Sequence, residues 1–435
     1  MTSLLDSRGG RLRAAALLGL NAGVTTALAL SGDPQAQLLR GSPRTDVHAA
    51  HERLRGRGEV VRSRLGVVSV TSHALCQQVL RDPHFGQQMP ESWSATAAPL
   101  DIAANGPLAG SFLELDPPDH TRLRRVAAPA FRPKVIRELA PGIEALLEGL
   151  LDRAGRHGSF DLMSEVAAPF PIAVISQLLG IPAEDTAQFR RVGQLVGQSL
   201  DGVRTVRQAQ RLRQASVELE ALFRRLAEQR RVDPGEDVIS QLAAAESDGR
   251  LVARDLTATC GLLLVAGFET TVNLIGNGVA ALLGPAGRGG QTWEALARPT
   301  PTVDAGLAAR VTEETLRWDP PVQLTSRVAQ RDTELAGGPV AAGTMVLTWL
   351  AAANRDPAVY ARPATFDADR EGEPEHLSFS GGIHYCLGAP LARLEGELAL
   401  GALAARMPRL RLLSGARRRC GATIRGYARL PVAVS

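Results

Sequence analysis

The run from Asp255 to Gly284 contains no proline and carries only two charged residues, Asp255 and Glu269. Drawn as a helix it is apolar almost all the way round, and it would span roughly 45 Å. A helix of that kind belongs either in the core of a large globular protein or in a membrane. Glu269, Asn273 and Asn277 fall inside the span, where lipid would leave a carboxylate and two amides without water. A central buried helix is therefore expected, with the rest of the chain wrapped around it. The chain has 435 residues, of which 45% are hydrophobic, enough for such a core. Length alone would suggest two or three domains.

A second constraint lies near the C-terminus. There Phe379-Ser380-Gly381-Gly382-Ile383-His384-Tyr385-Cys386-Leu387-Gly388 runs into apolar residues at helical steps, Leu387, Leu391, Leu394, Leu398 and Ala402. Cys386 thus stands where a glycine-rich loop meets a helix N-terminus. Free amide N–H groups and the helix dipole are expected to stabilise its sulfur as an anion and lower its pKa. Gly382 and Gly388 would let the backbone approach a flat ligand. Taken alone, one cysteine in an apolar setting is ordinarily a small core residue. A zinc site built from His376, His384 and Cys386 lacks both paired spacing and a fourth ligand. The spacing of Phe379, Gly382, Cys386 and Gly388, however, resembles the haem-binding loop of the cytochrome P-450 family. That resemblance implies a haem b cofactor held in part by this loop, His384 included, with the Cys386 thiolate as axial iron ligand.

The resemblance runs from about Asp46 to the C-terminus. In the middle of the apolar helix, Ala266-Gly267-Phe268-Glu269-Thr270-Thr271 is similar to the family's oxygen-activation motif. The residue types suit that chemistry. Ala266 and Gly267 leave room beside a ligand plane, and Thr270 can bond the Ala266 carbonyl or offer its hydroxyl to oxygen. A buried carboxylate such as Glu269 must be paired or functional, and the resemblance makes Glu269 and Thr270 the catalytic acid-alcohol pair. His120 and Arg124, four apart on a helix begun by Asp116-Pro117-Pro118-Asp119, match the family's propionate-holding residues, as does Arg327 beyond Val322–Ser326. Glu314 and Arg317 match its Glu-x-x-Arg pair, and Phe366-Asp367-Ala368-Asp369-Arg370 supplies the partner Arg370, a structural network rather than a catalytic one.

These motifs lie hundreds of residues apart and must meet at one cofactor, so the implied fold is a single domain, mainly α with a small β component. The haem would sit between the long central helix and the cysteine-loop helix. Residues 46–435 would form this domain and residues 1–45 a helical N-terminal segment. Helices are read at 46–64, before 82, at 134–156 and 163–180, and across 182–231 with an interruption at 199–203. Strands are read at 67–70, 340–348 and 427–434. The Pro-, Gly- and Ser-rich region 84–115 reads as a functional lid, and 284–301 departs from the regular helix the resemblance would put there.

Net charge is +4, and Lys134 is the only lysine. Without a long basic run, nucleic acid is not the natural partner. Cys76, Cys260, Cys386 and Cys420 are scattered, with no disulfide pattern, which fits a reducing cytoplasm. Arg8, Arg11 and Arg13 precede an uncharged run from Ala14 to Leu30 that Asn21, Gly23, Thr25 and Thr26 dilute below a typical anchor, so no stable membrane anchor is expected.

The implied function is a haem-thiolate monooxygenase that cleaves O₂ and oxidises a small organic substrate, read as a medium-sized natural product. Electrons would come from a separate ferredoxin and ferredoxin reductase, docking near Arg122, Lys134 or Arg393. Oxidative coupling would use the same site. A peroxide-driven enzyme or a haem sensor would not need Glu269 and Thr270. Substrate-facing segments are read at 85–113, 199–203, 263–268, 322–326 and 422–425.

Overall fold

The computed structural model describes residues 7–89, 108–284, 291–298 and 306–434. At its centre lies helix Ala253–Leu283, over the stretch marked by its lack of charge. Helices Pro169–Leu179, Val206–Val232, Leu307–Trp318 and Ala389–Arg406 pack around it and bury it almost throughout. Glycine sets the spacing of these helices. A Cβ on Gly278 would lie 3.0 Å from Leu400, and one on Gly396 would lie 2.6 Å from Thr312, so a side chain at either position would push two helices apart. The polar residues that argued against lipid are met by protein: Asn277 Nδ2 donates to the Asp319 and Arg425 carbonyls at 2.9 and 3.2 Å, and Asn273 Nδ2 to the Glu269 carbonyl at 2.7 Å.

Helices Thr186–Gly197 and Val206–Val232 cover one end of the core, joined through the short turn Gln198–Asp201 where the interruption was expected. Thr205 caps the longer of these roof helices, its hydroxyl accepting the Gln208 amide at 3.1 Å. The β component is small. One sheet has the strand order Val60–Arg62, Val68–Val70, Met345–Thr348, Thr325–Ala329, Phe85–Gly86, with only the Val68–Val70 to Met345–Thr348 pairing parallel. Pro431–Ala433 pairs antiparallel with Ser159–Asp161 and Arg411–Leu412, and Tyr427–Arg429 pairs with Arg417–Arg418.

Two expected helices are corrected. The helix read at 46–64 is Val47–Arg55 followed by strand Val60–Arg62. Asp46 caps it through the Ala49 amide, but Gly56 and Gly58 end it, and Val60 and Val61 pair with the strand at Val68–Val70. The helix read at 134–156 is divided into Pro133–Glu138 and Ala140–Ala154, because Pro141 has no N–H for the Arg137 carbonyl. Much of the supposed lid, residues 90–107, and most of the irregular region after Gly284, residues 285–290 and 299–305, lie outside the described residues. Near the N-terminus, helices Arg8–Leu30 and Pro34–Arg40 pack on one another, and the first also touches the longer roof helix.

Candidate active site

The cysteine loop closes because one position accepts only glycine. Gly382 has φ 64°, and a Cβ there would lie 2.3 Å from the Leu80 carbonyl oxygen, a backbone atom that cannot step aside. The loop then folds back, the Cys386 amide donating to the Phe379 carbonyl at 2.8 Å. Phe379 is buried against Leu274 of the central helix, and the Arg393 guanidinium stands 4.6 Å from its ring centroid. Burial pushes the Cys386 thiol up. The amides of Gly388 and Ala389 and the guanidiniums of Arg124 and Arg393 all favour the anion, but together they are the smaller effect. The lowered pKa expected from the helix start is therefore not what this environment alone produces.

Around the loop stand four basic side chains. His120 and Arg124 come from helix Asp119–Ala127, Arg327 from strand Thr325–Ala329, and His384 from the loop itself. The His120 and His384 rings lie 4.5 Å apart. His120 is 2% exposed, and neither ring nitrogen makes a hydrogen bond. Burial, then repulsion from His384, lowers its pKa to about 4, with only Asp116 and the Ile383 carbonyl pulling the other way. Arg327 is equally buried and touches the Ser326 carbonyl at 2.8 Å and the Ser380 hydroxyl at 3.4 Å. Burial brings it down to about 10. Arg124 donates to the Tyr385 carbonyl at 2.5 Å, and burial lowers it too. Among the described residues no carboxylate pairs with Arg124 or Arg327. A buried guanidinium and a half-buried one, neither with an acid, and an imidazole without a partner suit an anionic ligand that carries its own carboxylates.

The central helix is open along one short stretch near its middle. From Gly261 to Glu269 every residue is buried except Ala266 and Gly267, and Thr270 is also part-exposed. Thr270 Oγ1 donates to the Ala266 carbonyl at 2.7 Å. This open face carries no bulk, and on the cysteine loop nothing lies within 4 Å of the Cβ direction of Gly388. A flat macrocycle with one axial sulfur donor fits this donor set and this shape.

Glu269 points away from the open face. It is 5% exposed and is ion-paired with Arg419, whose guanidinium pKa is lowered by burial. Gly197 of the roof packs against it, so close that a Cβ there would be 2.9 Å from Oε2. Arg419 did not emerge from the sequence. Nor did Asp201, which accepts the Thr423 and Ile424 amides at 3.1 and 3.0 Å and ties the roof turn to the C-terminal turn. With the Val322–Ile424 bridge, this brings three of the expected substrate-facing segments together; most of the segment 85–113 lies outside the described residues. Glu395 was also missed. It faces Thr271 from helix Ala389–Arg406, is 1% exposed, and burial pushes it up to about 8.

Glu314, Arg317 and Arg370 meet as expected. Arg317 grips Glu314 with two bonds of 2.7 Å, and Arg370 reaches the same carboxylate at 3.2 Å. Arg317 also donates to the Asn354, Pro363 and Thr365 carbonyls. Of the cations considered for docking an electron donor, Arg122 is paired with Asp119 and Asp255 and Arg393 with Glu313 and Glu375, while Lys134 is exposed.

Fold and site together define a mainly helical protein built to hold a planar anionic cofactor over a cysteine. The family model of cytochrome P450 matches residues 306–406. A Mycobacterium bovis protein described as a cytochrome P450 140 is 37% identical, over 96% of both chains. Erythromycin C-12 hydroxylase of Saccharopolyspora erythraea is 38% identical over 82% of this chain and 86% of its own. The crystal structure of Mycobacterium smegmatis CYP164A2 in its ligand-free state superposes with a TM-score of 0.81 at 40% identity, covering 92% of this chain and 99% of that one. The chain belongs to the cytochrome P450 family and is a haem-thiolate monooxygenase, with haem iron as its cofactor.

Proposed function

We propose that this monooxygenase oxidises a medium-sized natural product by oxygen insertion at a haem b ligated by Cys386, in the cytoplasm, with electrons from a separate ferredoxin and ferredoxin reductase. The observation that carries the reading is the set of acid-free cations, buried Arg327 and half-buried Arg124 with the unpartnered His120, ranged around the Cys386 loop. The natural-product reading rests on similarity to a relative named as an erythromycin hydroxylase. Residues 46–435 would form the haem domain and residues 1–45 a helical extension.

When bound, the haem supplies the redox chemistry by which one oxygen atom enters the substrate and the other leaves as water, with two electrons and two protons consumed. Cys386 gives the sulfur donor; Arg124, Arg393 and the Gly388 and Ala389 amides favour its anion. His120, Arg124 and Arg327 would hold the two propionates, and Phe379, Gly382, His384 and Gly388 shape the loop that would carry the ring. Ala266 would leave room for a ligand, while the space beside Gly267 is taken by Ile175 of helix Pro169–Leu179, 3.1 Å from where a Cβ would lie. Thr270 holds its proton on the Ala266 carbonyl at rest, leaving the oxygen lone pairs free to accept another proton, and turning the hydroxyl away from that carbonyl releases a donor to the open face. Glu269 exchanges protons from behind, and Arg419 holds the carboxylate between transfers. Glu314, Arg317 and Arg370 fix the loop that follows.

The test is NADPH-dependent turnover with a surrogate ferredoxin and reductase, and product mass distinguishes oxygen insertion from coupling. General acid assistance is worth about 10²–10⁴-fold, so Thr270→Ala should keep haem and substrate binding while product per O₂ consumed falls and hydrogen peroxide rises. Full coupling in Thr270→Ala would remove this hydroxyl from proton delivery.

A further inference from the structure

We propose that helix Arg8–Leu30 and the arginine-rich start of the longer roof helix form a docking surface for an anionic phospholipid bilayer, the N-terminal helix lying in the headgroup layer. The first observation is where the apolar surface is concentrated. Of the eleven large hydrophobic side chains that are exposed among the described residues, five are on this one helix: Leu12, Leu17, Leu20, Val24 and Leu30. At about 100° per residue all five fall within an arc of about 140°, along with Gly9, Ala16, Gly23 and Ala27 and, at the N-terminal end, Arg13 as its one charged residue. Ala14 and Ala29 on the far side, and Gly10 at the edge of the arc, are buried against the body of the protein. The helix is therefore held to the fold along one side and, beyond Arg13, bare and apolar along the other.

The second observation is charge. From Ala14 to Leu30 the helix has no charged residue, while Arg8, Arg11 and Arg13 occupy its first turns. Ala14 packs on Ala209 of the roof helix, with Val203 and Val206 beside them. Arg204, Arg207 and Arg211 are exposed within one or two turns of that contact. Arg8, Arg13, Arg204, Arg207 and Arg211 are thus five exposed cations on the segments 8–30 and 202–217, which contain no carboxylate of their own. Of the neighbouring acids among the described residues, Asp33 caps the next helix and pairs with Arg57, Asp201 holds the Thr423 and Ile424 amides, and Glu218 pairs with Arg191.

An apolar ridge beside basic residues matches a surface that offers hydrocarbon and anionic phosphate within a few ångströms of each other, which an anionic bilayer does. A second copy of this chain fits less well, because the helix has no carboxylate to offer its mate: parallel contact sets arginine against arginine, and antiparallel contact leaves each basic cluster against an uncharged stretch. Spanning the bilayer would strip the buried side from the protein, so the helix lies on the membrane rather than crossing it.

The experiment is co-sedimentation of the full-chain holoprotein with vesicles of phosphatidylcholine alone or of equal parts phosphatidylcholine and phosphatidylglycerol. Binding should be confined to the anionic vesicles and weaken as salt rises. Arg8→Gln with Arg13→Gln should lower partitioning roughly fivefold per arginine. Leu17→Ser, Leu20→Ser and Val24→Ser together should lower it about a hundredfold, with the spectrum of the bound haem unchanged to show that the fold is intact. A wild-type protein that stays in solution with both vesicles would overturn the proposal, as would a serine variant that sediments like wild type. So would a lipid-free dimer that the serine substitutions turn into a monomer, since the ridge would then belong to a second copy.

Discussion

At the residue scale, the centre of the site is an imbalance of charge. Arg327 is buried and Arg124 half-buried, both without an acid, and loss of water depresses both. Charge-assisted hydrogen bonds are worth about 1.5–3 kcal/mol each, so replacing both arginines by alanine should weaken haem retention by about a hundredfold or more, read as haem content after dialysis against apomyoglobin. Unchanged retention would mean that the propionates are held by other groups. Glu395 makes a second prediction. Its folded-state pKa of about 8 lies above its ordinary 4.5. Between those values the unfolded chain has released a proton that the folded chain keeps, so this group makes stability fall as pH rises. Glu395→Gln should flatten the decline in melting temperature from about pH 5 to 8, and an unaltered slope would show that Glu395 ionises normally. Residues within short motifs, such as Cys386, Thr270 and Arg317, could be named from spacing because their neighbours in sequence set their roles. Arg419 is separated from Glu269 by 150 positions. Nothing in the local pattern of either one encodes that pairing, and the same holds for Asp201 with Thr423 and Glu395 with Thr271.

At the scale of elements, long and strongly patterned segments were legible. Helix Ala253–Leu283 follows from an apolar surface that only a protein core or lipid can cover, and the roof interruption follows from the glycine at 202 and the Thr205 cap. Boundaries decided by a single residue were not. Pro141 divides one expected helix, and Gly56 and Gly58 end another just where two valines can join a sheet. The cysteine loop depends on one such residue. Gly382→Ala would place a methyl group against the Leu80 backbone at a φ that L residues rarely adopt. Strain and overpacking of this kind cost about 1–3 kcal/mol each. The expected result is a folded helical body, seen by circular dichroism, with reduced haem incorporation. Normal incorporation would show that the loop relaxes without moving Cys386.

At the scale of the whole molecule, the motifs converge from both ends of the chain. Helix Asp119–Ala127, the central helix, strand Thr325–Ala329 and the loop before helix Ala389–Arg406 each bring a different part of one site, and this is why the length did not divide into separate domains. That convergence was readable only through the motifs taken together; composition and net charge carry no trace of it. The substrate is a different matter, because its recognition is spread over loops and turns with little periodic pattern. The proposed chemistry depends on Cys386 as the sulfur donor to iron. The most direct measurement is the absorption spectrum of the reduced, CO-bound holoprotein, wild type beside Cys386→Ser. Thiolate ligation predicts the red-shifted Soret band of a sulfur-ligated carbonyl complex in the wild type and its loss in the variant. The same band in Cys386→Ser, or a wild-type spectrum of nitrogen-ligated haem, would contradict the assignment of the site.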